Sequence, residues 1–310
     1  MSWFFERIFF NPKWYDYFFI FLMFPLSIIY GTVNFFLINF KKTIDFKVPI
    51  IGIGNLIVGG SGKTPFAVSL ISYIYSKRKC KIAYISRGYG RESRGLVKVC
   101  IDSEILVDVL ASGDEAMLVA KECECNVYVC EDRAKAVEVA KSDGAEVIVL
   151  DDAFSHTEIK KFDIVLEPKV IKNRLPIPAG GFREFYFNIK RANIVAKEGR
   201  DFKRLIFYDN LTDKMLLVTA ISNPSRLNAF LPDGVVGKYY LDDHSYFDED
   251  ILEQKMKDIG AKSLLVTQKD FVKMVQFKLP ISVMKLQLQI NYDILEKVDK
   301  YIGEKICNQK

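Results

Sequence analysis

Apolar positions fall into one long unbroken run, several short runs and several amphipathic stretches, and each pattern predicts a different element. Residues 17–40 hold no charged side chain. At ~1.5 Å per helical residue this run is long enough for a hydrocarbon core of roughly 30 Å, so it predicts a membrane helix. Trp3, Trp14, Tyr15 and Tyr17 gather at its start like an interfacial belt, and Lys41 and Lys42 follow its end. Pro25 and Gly31 lie inside it, so crossing the bilayer and lying in one leaflet are both compatible with the pattern. A secretory signal would show a shorter apolar core and a small-residue cleavage site.

Beyond this run the pattern alternates. Residues 81–86, 126–130 and 146–150 read as buried strands, with helices over 69–77, 114–121 and 133–141. Such alternation predicts a doubly wound, mostly parallel sheet whose functional loops follow the carboxyl ends of its strands. The pattern loosens over 199–213, and a second series begins. It has strands over 215–220, 235–240, 263–267 and 281–286, and helices over 224–231, 248–259, 269–277 and 292–306. A smaller second α/β lobe facing the first across a cleft follows from it.

The most informative stretch is VPIIGIGNLIVGGSGKTPFA, beginning at Val48. It reads as a strand, a glycine-rich turn and the start of a helix. Gly59, Gly60, Ser61 and Gly62 allow successive backbone N–H groups to face one concavity at a helix N-terminus, an arrangement suited to phosphate. In that motif Lys63 reaches the β- and γ-phosphates and the Thr64 hydroxyl holds Mg²⁺. Pro65 fits the first helical turn, which has no N–H partner to lose. Ile57 stands where the strict G-x-x-x-x-G-K-[ST] pattern has glycine, so the loop is a variant. The fold class is therefore α/β, with a P-loop NTPase-like sheet.

Further candidates follow the strand ends. The strand at 146–150 delivers Asp151 and Asp152, as in the Walker B arrangement whose carboxylate serves Mg²⁺ or its waters. In RLPIPAGGFRE, Arg183 offers a cation for phosphate and Glu184 a carboxylate near the metal. The two histidines, His156 and His244, each sit in a carboxylate-rich stretch.

Composition narrows the classes. At 310 residues and 50% hydrophobic, the chain can build two cores. A net charge of +5, without a dense basic stripe, argues against a dedicated nucleic-acid binder but suits an anionic partner or membrane surface. Six cysteines lack zinc-site or secreted-disulfide spacing and read as reduced thiols.

In order, the motifs GNLIVGGSGKTP, SRGYGR, SGDEAM, DDAFSH, LPIPAGGFRE, ISNPSR, DDHSYF and TQKD resemble the tetraacyldisaccharide 4'-kinases of Gram-negative lipid A biosynthesis over nearly the whole chain. The resemblance implies ATP-dependent phosphorylation of the 4'-hydroxyl of a tetraacylated glucosamine disaccharide 1-phosphate, with ATP and Mg²⁺. It implies work at the inner, cytoplasmic membrane, with the catalytic domains on the cytoplasmic face, the acylated disaccharide lipid as partner and no obligate protein partner. The chain then divides into a membrane-associated segment over 1–42, a P-loop kinase domain over 43–200 and a smaller C-terminal lobe over 201–310.

Position by position, the resemblance makes Asp114 the general base and His244 its dyad partner. It places Arg87 and Arg133 near phosphate groups, counts His156 with Arg87 and Asp114 toward the acceptor, and assigns Thr64, Asp151, Asp152 and Glu184 to the metal. Ala153 and Ser155 depart from the family's DDGFQH, and Gln268 from its TEKD. Asp114 also suits a helix N-cap. The rival reading is a membrane-attached P-loop GTPase or ATPase switch, with Thr267-Gln268-Lys269-Asp270 superficially close to a guanine-recognition element.

Overall fold

The structure, a computed structural model, describes residues 3–59 and 62–307, the side chains of residues 3, 4 and 6 aside. Gly60 and Ser61 of the glycine-rich turn, and the Trp3 ring, thus lie outside the described residues. Helices α1 (Trp3–Phe10) and α2 (Asp16–Asn39) lead into β1 (Ile50–Gly54), α3 (Lys63–Arg78) and β2 (Ile82–Ser86). Next come β3 (Val97–Ile101), β4 (Glu104–Ile105), α4 (Val109–Ser112), α5 (Asp114–Glu122), β5 (Asn126–Val129), α6 (Arg133–Ser142), β6 (Val147–Asp151), β7 (Phe162–Glu167) and β8 (Ile194–Lys197). The remainder comprises β9 (Phe202–Asp209), β10 (Met215–Thr219), β11 (Val235–Tyr240), α7 (Glu249–Ile259), β12 (Ser263–Thr267), α8 (Gln268–Phe271), β13 (Ile281–Ile290) and α9 (Tyr292–Cys307).

Strands β1, β2, β5 and β6 are buried along their whole length, which is why they read as unbroken apolar runs. They lie inside a sheet ordered β4-β3-β5-β2-β6-β1-β7-β8. All its pairings are parallel except those of β3 with β4 and β5. The register Ile53↔Asp151 sets the end of β6 beside the end of β1, where the phosphate loop leaves the sheet. That alignment, invisible in the sequence, brings the two motifs together.

A second sheet, ordered β11-β10-β12-β13-β9, is parallel apart from the β9–β13 pair. It packs on α3: the Phe66 and Phe202 rings meet edge-on at 5.6 Å, and Leu288 N–H donates to Ser69 Oγ at 3.3 Å. The predicted helix at 224–231 is instead a 3₁₀ helix over Pro224–Phe230, and that at 269–277 is α-helical only over Gln268–Phe271. The β3–β4 hairpin and strands β7, β8 and β9 carry mixed polarity and were not legible from periodicity. α9 returns to the first sheet: Ile294, Val298 and Ile302 share a core with Ile51, Phe66 and Leu70, and the Tyr301 hydroxyl donates to Ile50 O at 3.2 Å.

α2 lies along the body rather than leaving it. Ser27 Oγ donates to Pro176 O at 2.5 Å, a Cβ at Gly31 would stand 2.7 Å from the Phe185 ring, the Phe35 and Phe187 rings meet at 5.9 Å, and Thr157 Oγ1 donates to Ile38 O. Its other face is apolar and open, with Phe18 and Phe21 both 78% exposed and Leu22, Ile29, Val33, Phe36 and Phe40 continuing the stripe.

Candidate active site

Gly59, at φ +94°, and Gly62, at φ +81°, occupy the left-handed region that glycine tolerates, and Gly62 caps α3. Phe66 N–H makes the first helical bond, to Gly62 O at 3.0 Å, so Pro65 leaves no donor missing. Lys63 Nζ lies 3.4 Å from Asn55 Oδ1 and 3.5 Å from Asp152 Oδ1. The lysine thus turns back over the concavity toward the ends of β1 and β6.

Thr64 Oγ1 sits 3.4 Å from Asp151 Oδ2, and the Tyr84 hydroxyl donates to the same oxygen at 2.6 Å. Asp151 is fully buried; burial first, and the charge of Glu115 next, push its carboxyl up to about 6 against the pull of Lys63. Asp152, at φ +49°, is held by Arg183 Nη1 at 2.8 and 3.0 Å while its Oδ1 faces Lys63. A hydroxyl and a buried carboxylate short of positive charge are the donors a P-loop cation uses together with phosphate oxygens and waters, so Thr64 and Asp151 fit Mg²⁺.

Other predicted groups are placed less simply. Glu184 accepts from Arg191 Nη2 at 2.5 Å and Asn188 Nδ2 at 2.6 Å, a buried carboxylate on a part-exposed arginine, with no hydrogen bond or ion pair to Thr64 or Asp151 among the described residues. His156 bonds Glu158 through Nδ1 at 2.6 Å, at the end of α2 rather than beside Asp114. Arg133 is buried, donates to Cys130 O, and lies within the fields of Asp151, Asp152 and Arg87; burial lowers its pKa and the carboxylates oppose that. Arg87 itself is exposed.

Gly113, rather than Asp114, caps α5, and its φ of +81° seats it against Tyr89 O, where a Cβ would come within 2.9 Å. Asp114 is therefore the first helical residue, and its side chain is turned into the interface between the sheets. Its Oδ2 lies 2.9 Å from His244 Nδ1, 3.1 Å from Lys273 Nζ and 3.8 Å from Lys269 Nζ. Burial would raise its pKa, but the His244 hydrogen bond and the two lysines overcome this and hold the carboxyl at about 2. His244 stands at φ +64°, a conformation that costs of order 1–3 kcal/mol in a non-glycine residue. The Tyr89 ring covers it at 4.7 Å, and its side chain is 15% exposed.

Between the two sheets lies a cleft of about 270 Å³. Gly62, Lys63, Thr64 and Pro65 form one end of its wall. Val68, Leu118, Ile206, Leu227, Phe230 and Leu286 give it an apolar flank suited to a flat aromatic ring. Glu115 and Lys269, 3.3 Å apart, line the same cleft, and Lys269 Nζ lies 3.8 Å from Asp114 Oδ2 and 3.5 Å from His244 Nε2, so the Asp114–His244 pair stands directly behind this part of the wall. Asp270, by contrast, is fully buried and accepts from Thr219, Thr267 and Ala220 N, leaving nothing for a guanine base. Sequence reasoning missed Tyr84, Glu115, Arg204, Lys269 and Lys273. Glu115 and Lys269 lay inside the family-like motifs SGDEAM and TQKD but drew no role of their own, and TQKD was also superficially close to a guanine-recognition element.

The family model for tetraacyldisaccharide-1-P 4'-kinase matches residues 19–306 of the chain. The tetraacyldisaccharide 4'-kinase of Helicobacter pylori (strain HPAG1) is 43% identical over 310 residues, covering 99% of this chain and 97% of that protein. That of Aliarcobacter butzleri is 42% identical and that of Campylobacter jejuni 38%, each covering 96% of both chains. A crystal structure of the "apo" form of LpxK from Aquifex aeolicus in complex with ATP superposes with a TM-score of 0.73 at 24% identity, over 92% of this chain and 99% of that one, which shows the same fold.

Proposed function

The chain belongs to the tetraacyldisaccharide-1-P 4'-kinase family, and from that premise we propose that it transfers the γ-phosphoryl group of ATP to the 4'-hydroxyl of a tetraacylated glucosamine disaccharide 1-phosphate in lipid A biosynthesis. The observation that carries this reading is the cleft whose wall runs from the phosphate loop to Lys269, the residue in contact with the Asp114–His244 pair. The switch reading has no support in the family, and the burial of Asp270 removes its guanine element.

Phosphoryl transfer needs charge neutralised on the phosphate oxygens and an acceptor oxygen held in line. Lys63 and the backbone of the phosphate loop bind the triphosphate, and Arg133 and Arg87 add positive field beside it. Thr64 and Asp151 would hold Mg²⁺, with Asp152 next to them; bound there, the ion screens the phosphate charge. Glu184 acts instead through Arg191, keeping the 181–191 loop in place. Asp114 is a poor proton acceptor at a pKa of about 2 and with no surface of its own. It fixes His244 by Nδ1, and Nε2 of that ring is the atom that accepts the hydroxyl proton.

α2 is the membrane anchor. Crossing a bilayer would carry the loops packed along it, at Thr157, Pro176 and Phe185, with the neighbouring Glu158, into hydrocarbon, so α2 lies in one leaflet with its open aromatic face inward. The catalytic lobes then sit on the cytoplasmic face of the inner membrane, where ATP and the acylated acceptor meet. In this reading residues 1–42 contact lipid, 43–200 bind nucleotide, and the lobe from 201 closes the cleft, with α9 returning to the nucleotide domain.

The test is incubation of purified chain with γ-labelled ATP and the disaccharide 1-phosphate in mixed micelles. Label on the 4'-oxygen is expected. Phosphate release that ignores the lipid, or label elsewhere on it, would sink the proposal.

A further inference from the structure

Lys273 is one of the most deeply placed cations of the second lobe. Its side chain is 2% exposed, its Nζ lies 3.1 Å from Asp114 Oδ2, and it donates to Ser245 O at 3.2 Å beneath the Tyr246 and Phe247 rings. It touches no wall of the nucleotide cleft. A buried ammonium in such a place is costly unless it serves a fixed anion; the buried Asp270 lies within its field, and the carboxylate at ion-pair distance is Asp114, the one that orients His244.

A carboxylate bonded to imidazole Nδ1 has two effects. It aligns the ring, and it favours the protonated ring, which can accept nothing at Nε2. The surroundings of His244 decide which effect prevails. Negative groups near it are Asp114 and, 3.6 Å from Nε2, Asp243; Glu115 lies beyond Lys269, and Glu92 and Asp108 act near Tyr246. Positive groups are Lys269, 3.5 Å from Nε2, and Lys273, reached through Asp114. The Tyr89 ring is neutral. At the ring itself Asp114 and Asp243 thus stand against Lys269 and Lys273, with the other three carboxylates farther out.

We propose that Lys273 is a positioning residue for phosphoryl transfer: its fixed charge offsets that of Asp114, so that Asp114 holds His244 in line for the acceptor hydroxyl without its full charge acting on the ring. Lys273 touches neither nucleotide nor acceptor and acts only through Asp114. The proposal rests on His244 being the proton acceptor.

The chain has two histidines, so its imidazole signals can be followed individually in the full-length protein labelled at histidine, with His156→Gln giving the assignment. In Lys273→Met the His244 titration moves up by about one to two pH units, the usual effect of an unbalanced carboxylate. The acidic limb of kcat/KM for the acceptor moves with it, so that the rate at pH 6 falls about tenfold for each pH unit the limb moves and returns as the pH is raised. Lys273→Arg keeps the wild-type titration and limb. A merely structural lysine would lower the rate equally at every pH. Should the Met variant not fold, Lys273→Gln serves: identical His244 titrations for Lys, Arg and Gln overturn the proposal. A His244 titration that moves while the acid limb stays put upholds the action of Lys273 and removes His244 as the proton acceptor. Wild-type turnover in His244→Gln does the latter directly.

Discussion

Gly54, the last residue of β1, shows how closely the chemistry depends on backbone packing. A Cβ built there stands 2.6 Å from Phe154 Cβ and 2.9 Å from Phe154 N. Carbon atoms separate comfortably at about 3.5–4.0 Å, so Gly54→Ala must push the 151–154 turn away by roughly 1 Å. That turn is pinned to β1 by Ala153 N–H donating to Ile53 O at 3.0 Å and cannot swing as a free loop. Overpacking of this kind costs about 1–3 kcal/mol. At about 2 kcal/mol the melting midpoint falls by roughly 4–8 °C for a domain of this size. A displacement of ~1 Å at Asp151 and Asp152 should also lower kcat about 10²-fold. Differential scanning fluorimetry and steady-state kinetics at saturating acceptor measure the two effects. An unchanged melt would refute the packing argument. A lowered melt with wild-type turnover would refute the link from the Phe154 contact to the carboxylates.

Three other outcomes follow. Asp151 titrates near 6, so Mg²⁺ must displace its proton at lower pH; calorimetry in two buffers should find close to one proton released per MgATP bound at pH 5 and almost none at pH 8, and equal release at both would reject the assignment. Without metal, the native state keeps a proton that the unfolded chain gives up, so this group's stabilisation is present below about pH 4 and lost as the pH rises through about 6. Glu184→Gln strands Arg191, whose side chain is 24% exposed, and should cost about 2–3 kcal/mol in denaturant titrations, less than a wholly buried pair, with Mg²⁺-dependent ATP binding kept; loss of metal dependence at unchanged stability would make residue 184 a ligand after all. Replacing Phe18 and Phe21 together with Ser removes two exposed rings of roughly 1.5–3 kcal/mol each on burial, so vesicle binding should weaken by 10² or more with no change in melting, and undiminished sedimentation with vesicles would exclude this face as the anchor.

The sequence by itself determined what short-range physics encodes. Fully buried parallel strands read as apolar runs, and the glycines before Lys63 and Thr64 specify a strand, a turn and a helix start, because the residues responsible lie within one turn of one another. Even the Asp151–Asp152 end of β6 was visible as a strand terminus. Partnership was not. Asp114 and His244 are 130 positions apart, and only an ordered family pattern linked them; that Lys273 completes the cluster, or that Tyr84 holds Asp151, carried no local sign. Glu184 shows the same limit from the other side, since a carboxylate in a glycine-rich loop looks free until the fold supplies Arg191. Strands β8 and β9 escaped notice because they are edge strands with alternate residues part-exposed, and β7, next to the edge, because only its middle is fully buried. The length and apolar character of α2 are sequence properties, but its lying flat is decided by Ser27, Gly31 and Phe35 meeting residues some 150 positions away. Sheet order and register set which distant side chains become neighbours, and neither is written in any local stretch of the chain.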